Sequence, residues 1–148
     1  MDDHLELLLS GQQYKKFQEL LYRPMVHKYG ISVVDIRILM FLYEHEECDT
    51  AKDIVETHCL TKSYVSKAIE TLIDKEFLAR KHDYSDRRYI HLELQKKADA
   101  VIEDVKKLRN EMFGLVFNGV SREEMDVVKS VAARINANMT EMLTQGRV

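Results

Sequence analysis

The stretch Thr50-Ala51-Lys52-Asp53-Ile54-Val55-Glu56-Thr57-His58-Cys59-Leu60-Thr61-Lys62-Ser63-Tyr64-Val65-Ser66-Lys67 decides the architecture. Thr50 with Asp53 has the capping-box spacing, in which a hydroxyl accepts from the helix's first amides while a carboxylate reaches back to the cap. A short helix therefore starts at Ala51, buries Ile54 and Val55, and ends in the polar, non-periodic His58-Cys59 turn. Thr61 caps a second helix running to about Glu76. Within it Val65, Ile69, Leu72 and Ile73 form a buried stripe, which leaves Lys62, Ser63, Ser66, Lys67 and Glu70 on the opposite face. Two short helices joined by a brief turn, the second polar on its outer side, make a helix-turn-helix pattern.

Downstream the period changes. Ile90, Leu92 and Leu94 alternate with Tyr89, His91 and Glu93, the signature of a half-buried strand. Leu78 to His82 is expected to pair with it antiparallel, closed by the charged loop Asp83-Tyr84-Ser85-Asp86-Arg87-Arg88. Two further helices follow, one carrying Val101, Val105, Leu108, Met112 and Leu115, the other Val128, Ala132, Ile135, Met139 and Met142. Their alternating four-and-three spacing is that of interhelical seams, and Ser121 with Glu124 caps the second.

Upstream, Leu5, Leu8, Leu9, Tyr14, Phe17, Leu20 and Leu21 recur at helical spacing, with Pro24 expected to kink or break the last turn and Gly30 to stop it. Ser32 with Asp35 opens another helix, whose Ile36, Leu39, Met40 and Tyr43 lie on one side. The fold class is mainly α with a small β-hairpin wing. Residues 31–94 are expected to form the winged helix-turn-helix lobe, and 1–30 with 95–148 a helical region, the whole making one intertwined domain.

The bulk properties fit that reading. A chain of 148 residues that is 45% hydrophobic can bury one core. It has no apolar run long enough for a membrane span, and Met1-Asp2-Asp3-His4 is acidic where a signal peptide is basic, so a cytoplasmic location is expected. Cys48 and Cys59 are too few for a disulfide framework. The formal charge of −3 is unevenly spread: residues 1–49 carry −4, residues 50–92 carry +1, and residues 93–148 are neutral. Arg80, Lys81, Arg87 and Arg88 fall within nine residues of the least acidic segment.

These features suit duplex DNA. The major groove admits a helix whose first turns alone approach base edges, and Lys62 to Lys67 present short polar and basic side chains there. At the hairpin tip an exposed Arg88 can enter a minor groove, with Asp86 two residues away to hold its direction.

The combination of Gly30-Ile31-Ser32, Thr61-Lys62-Ser63-Tyr64-Val65-Ser66-Lys67, and Asp83 to Arg88 followed by Leu92-x-Leu94 resembles the MarR (multiple antibiotic resistance regulator) family of winged-helix repressors. The resemblance covers roughly residues 30 to 94. It implies a homodimer built from the first and last two helices, reading palindromic double-stranded DNA with half-sites on the order of 34 Å apart. It further implies that Thr61, Lys62, Ser63, Tyr64, Ser66 and Lys67 serve the major groove, and Asp86, Arg87 and Arg88 the flanking minor groove. A small aromatic or phenolic effector would release such a repressor, with Tyr22, Arg23, His27, Tyr29 and Tyr43 as candidate lining residues. The chain departs from the family pattern at Gln95 (usually a capping Thr), Glu76 (commonly Gly) and Tyr84 (often Pro).

Three other readings stand beside this one. Cys48 and Cys59 can sense oxidants or, with His45 and His58, bind a metal, although their spacing matches no metal template. An enzyme is not expected, since no nucleophile elbow, phosphate loop or dinucleotide fingerprint occurs, and none of these patterns calls for a cofactor. A winged helix that only docks another protein would show no salt-dependent DNA binding.

Overall fold

The computed structural model describes residues 12–58, 60–86 and 88–146. Six helices and one hairpin are present among them: α1 (Gln12–Tyr29), α2 (Val33–Glu44), α3 (Ala51–His58), α4 (Lys62–Asp74), β1 (Leu78–His82), β2 (Ile90–Leu94), α5 (Lys96–Val116) and α6 (Arg122–Thr144). Two compact units arise. One is Glu19–Lys107; the other comprises the described parts of Met1–Gln18 and Leu108–Val148.

The capping signals govern the helix starts. Ser32 and Asp35 form a reciprocal capping box on α2, and Ser121 and Glu124 do the same on α6. On α3 the Thr50 amide donates to Asp53 Oδ2 at 3.0 Å, and the Asp53 amide to Thr50 Oγ1 at 3.3 Å. Thr61 caps α4 in extended backbone, its side chain accepting from the Tyr64 amide. α1 continues through Pro24 to Tyr29 instead of breaking there, because proline removes only one intrahelical donor and the turns around it survive. Gly30, at φ 63°, then ends it, its amide donating to Val26 O at 2.9 Å. Leu5, Leu8 and Leu9 lie outside the described residues, as does the Tyr14 side chain.

α4 stops at Asp74, two residues short of the expectation, in a Schellman arrangement. The Phe77 amide donates to Leu72 O at 2.8 Å and the Glu76 amide to Ile73 O at 2.9 Å, with Glu76 itself left-handed at φ 64°. The residue at the glycine position thus adopts the conformation that glycine favours. At the start of α5 the Gln95 side chain donates to Glu93 O and does not cap the helix; the Gln95 amide instead donates to Phe77 O at 3.0 Å.

The core of the Glu19–Lys107 unit gathers Ile36, Leu39 and Met40 of α2, Ile54 of α3, Val65, Ile69 and Leu72 of α4, and Val101 and Val105 of α5. α2 is buried almost all round, since Ile38, Phe41 and Leu42 are also covered. Tyr43, expected on the buried side, emerges exposed in the last turn. β1 and β2 pair antiparallel, Leu78 opposite Leu94 and His82 opposite Ile90. Leu92 is buried, whereas Ile90, expected to face inward, is exposed because it pairs at the loop end of the hairpin, away from the helices. In the other unit Ala132 is buried, but Val128, Ile135, Met139 and Met142 of the same seam are exposed, as is Leu115 on α5. The seam has the expected spacing, and among the described residues these side chains remain exposed. Among the described residues no helix is long and apolar enough to cross a membrane.

Candidate nucleic-acid interface

α4 buries Val65, Ala68, Ile69 and Leu72 and leaves Lys62, Ser63, Tyr64, Ser66 and Lys67 exposed, so the polar set lies on the outer face of the helix. No acidic residue occupies its first turn. The N-terminal end therefore combines the positive pole of the helix with Lys62, a setting that attracts phosphate. The Thr61 and Ser63 hydroxyls lie 3.3 Å apart, so Ser63 leans on the cap while Ser66 stays on the exposed face.

The hairpin is fastened to this helix. Glu70 of α4 forms an ion pair with Arg80 of β1, which removes Arg80 from the group of free cations that the sequence suggests. Lys81, Lys62 and Lys67 remain exposed. At the wing Asp86 grips Arg88: Oδ1 accepts from the Arg88 amide and from Nε, each at 3.0 Å, and Oδ2 from Nη2 at 2.8 Å. That contact holds the Asp86 carboxyl below its ordinary pKa and raises that of the guanidinium. The Arg88 side chain is nevertheless 88% exposed, so it is oriented without being covered. Arg87 lies outside the described residues. Tyr84 is 99% exposed.

Asp83, which the sequence placed in the charged loop without a role of its own, organises that loop. Its Oδ1 accepts from the Ser85 amide at 2.6 Å, from the Ser85 hydroxyl, and from the Asp86 amide at 3.0 Å. The loop is thus folded around one carboxylate, whose pKa falls far below the usual range, chiefly through the Ser85 hydroxyl. The Asp83-x-Ser85 pattern was a local signal for such a turn.

The candidate effector residues scatter. Tyr22 is only 2% exposed, within the core, so a ligand reaches it only by opening the packing; Arg23 and His27 are exposed. Tyr29 donates to Asp104 Oδ2 at 2.6 Å, and Lys28 Nζ reaches the same oxygen at 2.6 Å. Tyr43 accepts from Lys106 Nζ at 3.3 Å. Tyr29 and Tyr43 therefore both attach to the first half of α5. Cys48 is half-buried, and its thiol pKa is raised by partial burial and then by Asp53, Glu47 and Asp49, which makes it less nucleophilic at neutral pH. Cys59 lies outside the described residues. His58 and His45 pack against the Phe41 ring, and His58 Nδ1 accepts from Arg37 at 3.3 Å. Among the described residues no group of three His, Cys, Asp or Glu side chains is placed to hold a metal ion.

Comparison with known proteins agrees with this geometry. Residues 31–90 match the model of the MarR family. A relative from Bacillus subtilis (strain 168), the uncharacterized HTH-type transcriptional regulator YwhA, is 26% identical over 98 residues, covering 66% of this chain and 70% of that protein. Among solved structures, transcriptional regulator PA3341 superposes with a TM-score of 0.77 at 23% identity, covering 93% of this chain and 98% of the other. A MarR transcriptional regulator from Methanosarcina mazei Go1 gives 0.73 at 22% identity, covering 93% and 99%. The S. aureus MepR–DNA complex gives 0.64 at 21% identity, covering 98% and 96%. These likenesses fix the winged-helix fold.

Proposed function

We propose that this chain, whose residues 31–90 match the MarR family model, is a transcription regulator of that family that binds double-stranded DNA sequence-specifically as a homodimer. The observation that carries this is the pairing, within one compact unit, of an outward polar and basic helix start with an Arg88 oriented by Asp86 and left in solvent. In this reading Lys62, Ser63, Tyr64, Ser66 and Lys67, capped by Thr61, enter the major groove, while Arg88, with Arg87 beside it, serves the flanking minor groove. The fold shared with a neighbour solved on DNA supports the same assignment.

The exposed Val128, Ile135, Met139 and Met142 on α6 support the homodimer, because a row of apolar side chains at seam spacing is buried by a second copy. The helical parts in 1–30 and 95–148 would then join the protomers, and 31–94 would read each half of a palindromic operator. Repression relieved by a small aromatic or phenolic effector is the regulatory mode proposed, acting in the cytoplasm. Tyr29 and Tyr43, both attached to α5, are the residues through which such a ligand would shift the spacing of the two reading heads. The thiol- or metal-responsive alternative is not favoured, given the raised Cys48 pKa.

The test is titration of fluorescent duplex, selected from a random-sequence pool by the wild-type protein, with wild-type and Arg88→Ala chains. Affinity is expected to fall about tenfold for the variant. Equal affinity refutes the wing assignment, and failure to enrich any duplex refutes the function.

A further inference from the structure

Besides the Glu70–Arg80 ion pair, a second side chain ties the wing to the rest of its unit. Asp83, which folds the loop through Oδ1, presents Oδ2 to His91 Nε2 at 3.2 Å. The other ring nitrogen, Nδ1, lies 2.6 Å from Asp49 Oδ1 in the loop between α2 and α3. Asp49 is held on two sides: its carbonyl accepts from the Leu92 amide of β2 at 2.8 Å, and the neighbouring Thr50 caps α3. One imidazole on β2 thus bridges a fixed loop and the loop that carries Asp86 and Arg88.

A carboxylate only accepts, so each ring nitrogen must donate. Neutral imidazole has one N–H, and only the imidazolium has two. The charged groups around the ring favour that form: Asp49 from the α2–α3 loop, Asp83 from the wing and Glu93 on the same face of β2, against Lys81, the cross-strand partner on β1. Farther out, the Asp86–Arg88 pair is closed on itself, and Asp53 is held by Thr50.

We propose that His91 is a positioning residue: doubly protonated, it fastens the wing to the α2–α3 loop, and loss of one proton frees the wing and weakens DNA binding. The second half of that statement rests on the DNA-binding reading; the first half does not. The sign follows from the ring's pKa, which is raised by Asp49 first and Asp83 second. A raised folded value means that the bridge is complete below the ordinary histidine pKa of about 6.5 and is lost as pH rises through the elevated value. Affinity should fall on alkalinisation.

The experiment uses the full chain at constant ionic strength between pH 6 and 9. In the free protein, NMR follows the His91 ring and the Ser85 and Asp86 amides; in parallel, anisotropy measures affinity for the selected duplex with wild type, His91→Gln and Asp49→Asn. In wild type the two amides should titrate with the ring, and affinity should drop about three- to fivefold across the same midpoint, in keeping with a part-exposed pair. His91→Gln should lose this step while keeping any slope owed to the other histidines, and Asp49→Asn should move the midpoint to lower pH. The proposal is overturned if the amides ignore the ring, or if His91→Gln retains the wild-type profile. Should His91→Gln not fold, an unmoved midpoint in Asp49→Asn overturns it equally. If no duplex binds, the functional reading fails, and the amide titration alone still decides whether His91 holds the wing.

Discussion

Glu76→Gly tests the local backbone on which the hairpin's placement depends. Glu76 follows the C-cap of α4 with φ 64°, between two hydrogen bonds that define the helix end. A residue with a Cβ loses about 1–2 kcal/mol in the left-handed region, and glycine loses almost none. Glycine also widens the unfolded ensemble, at about 0.4–1 kcal/mol, so the net gain should be about 0.5–1 kcal/mol. For a chain of this size that corresponds to a rise in Tm of about 1–4 °C. Urea unfolding followed by circular dichroism measures it, with Glu76→Ala as the control that keeps the Cβ. The variant should unfold at higher urea with the same slope, and Glu76→Ala should show no such gain. A glycine variant no more stable than the alanine one would mean that this position carries no strain, and the helix end described above would be wrong.

The remaining expectations are briefer. Asp86→Ala should weaken duplex binding about threefold, as expected for an exposed pair, and its effect should not add to that of Arg88→Ala, because both remove one oriented guanidinium; additive losses in a double-mutant cycle would separate the two residues. Ser121→Ala removes the hydroxyl that accepts from the Glu124 amide and should destabilise the fold by about 1 kcal/mol in equilibrium denaturation. Ile135→Glu places a charge on the exposed α6 seam, where Ile135 is 49% exposed in the single chain, and sedimentation should show monomer where wild type shows dimer. A wild type that sediments as a monomer removes the homodimer from the account.

Elements set by short-range spacing were legible in the sequence. The capping pairs Ser32 with Asp35, Thr50 with Asp53, and Ser121 with Glu124 and the Thr61 cap depend on neighbours within a few residues, the pairing of 78–82 with the strand around Leu92 depends on one short loop, and each is present. What was not legible depends on contacts between segments. Arg80 reads as a free cation until α4 and β1 are placed together and Glu70 meets it. Periodicity assigned Tyr43 and Ile90 to buried faces but does not say where covering elements end, and both lie at such ends. His91 and Asp49 are 42 residues apart, so no spacing announces their bond. Asp83 is the intermediate case, a local turn signal whose importance shows only once the loop has closed around it.

The salt dependence of duplex binding bears most directly on the central claim. Lys62, Lys67 and Arg88 alone supply three exposed cations per protomer, six in a homodimer, so the logarithm of the affinity should fall against the logarithm of salt concentration with a slope of about −5 or steeper. Steep, linear weakening of binding to the selected duplex is the predicted result. A slope near zero, or affinity no greater for that duplex than for random DNA, would contradict the assignment of this helix and wing to nucleic acid.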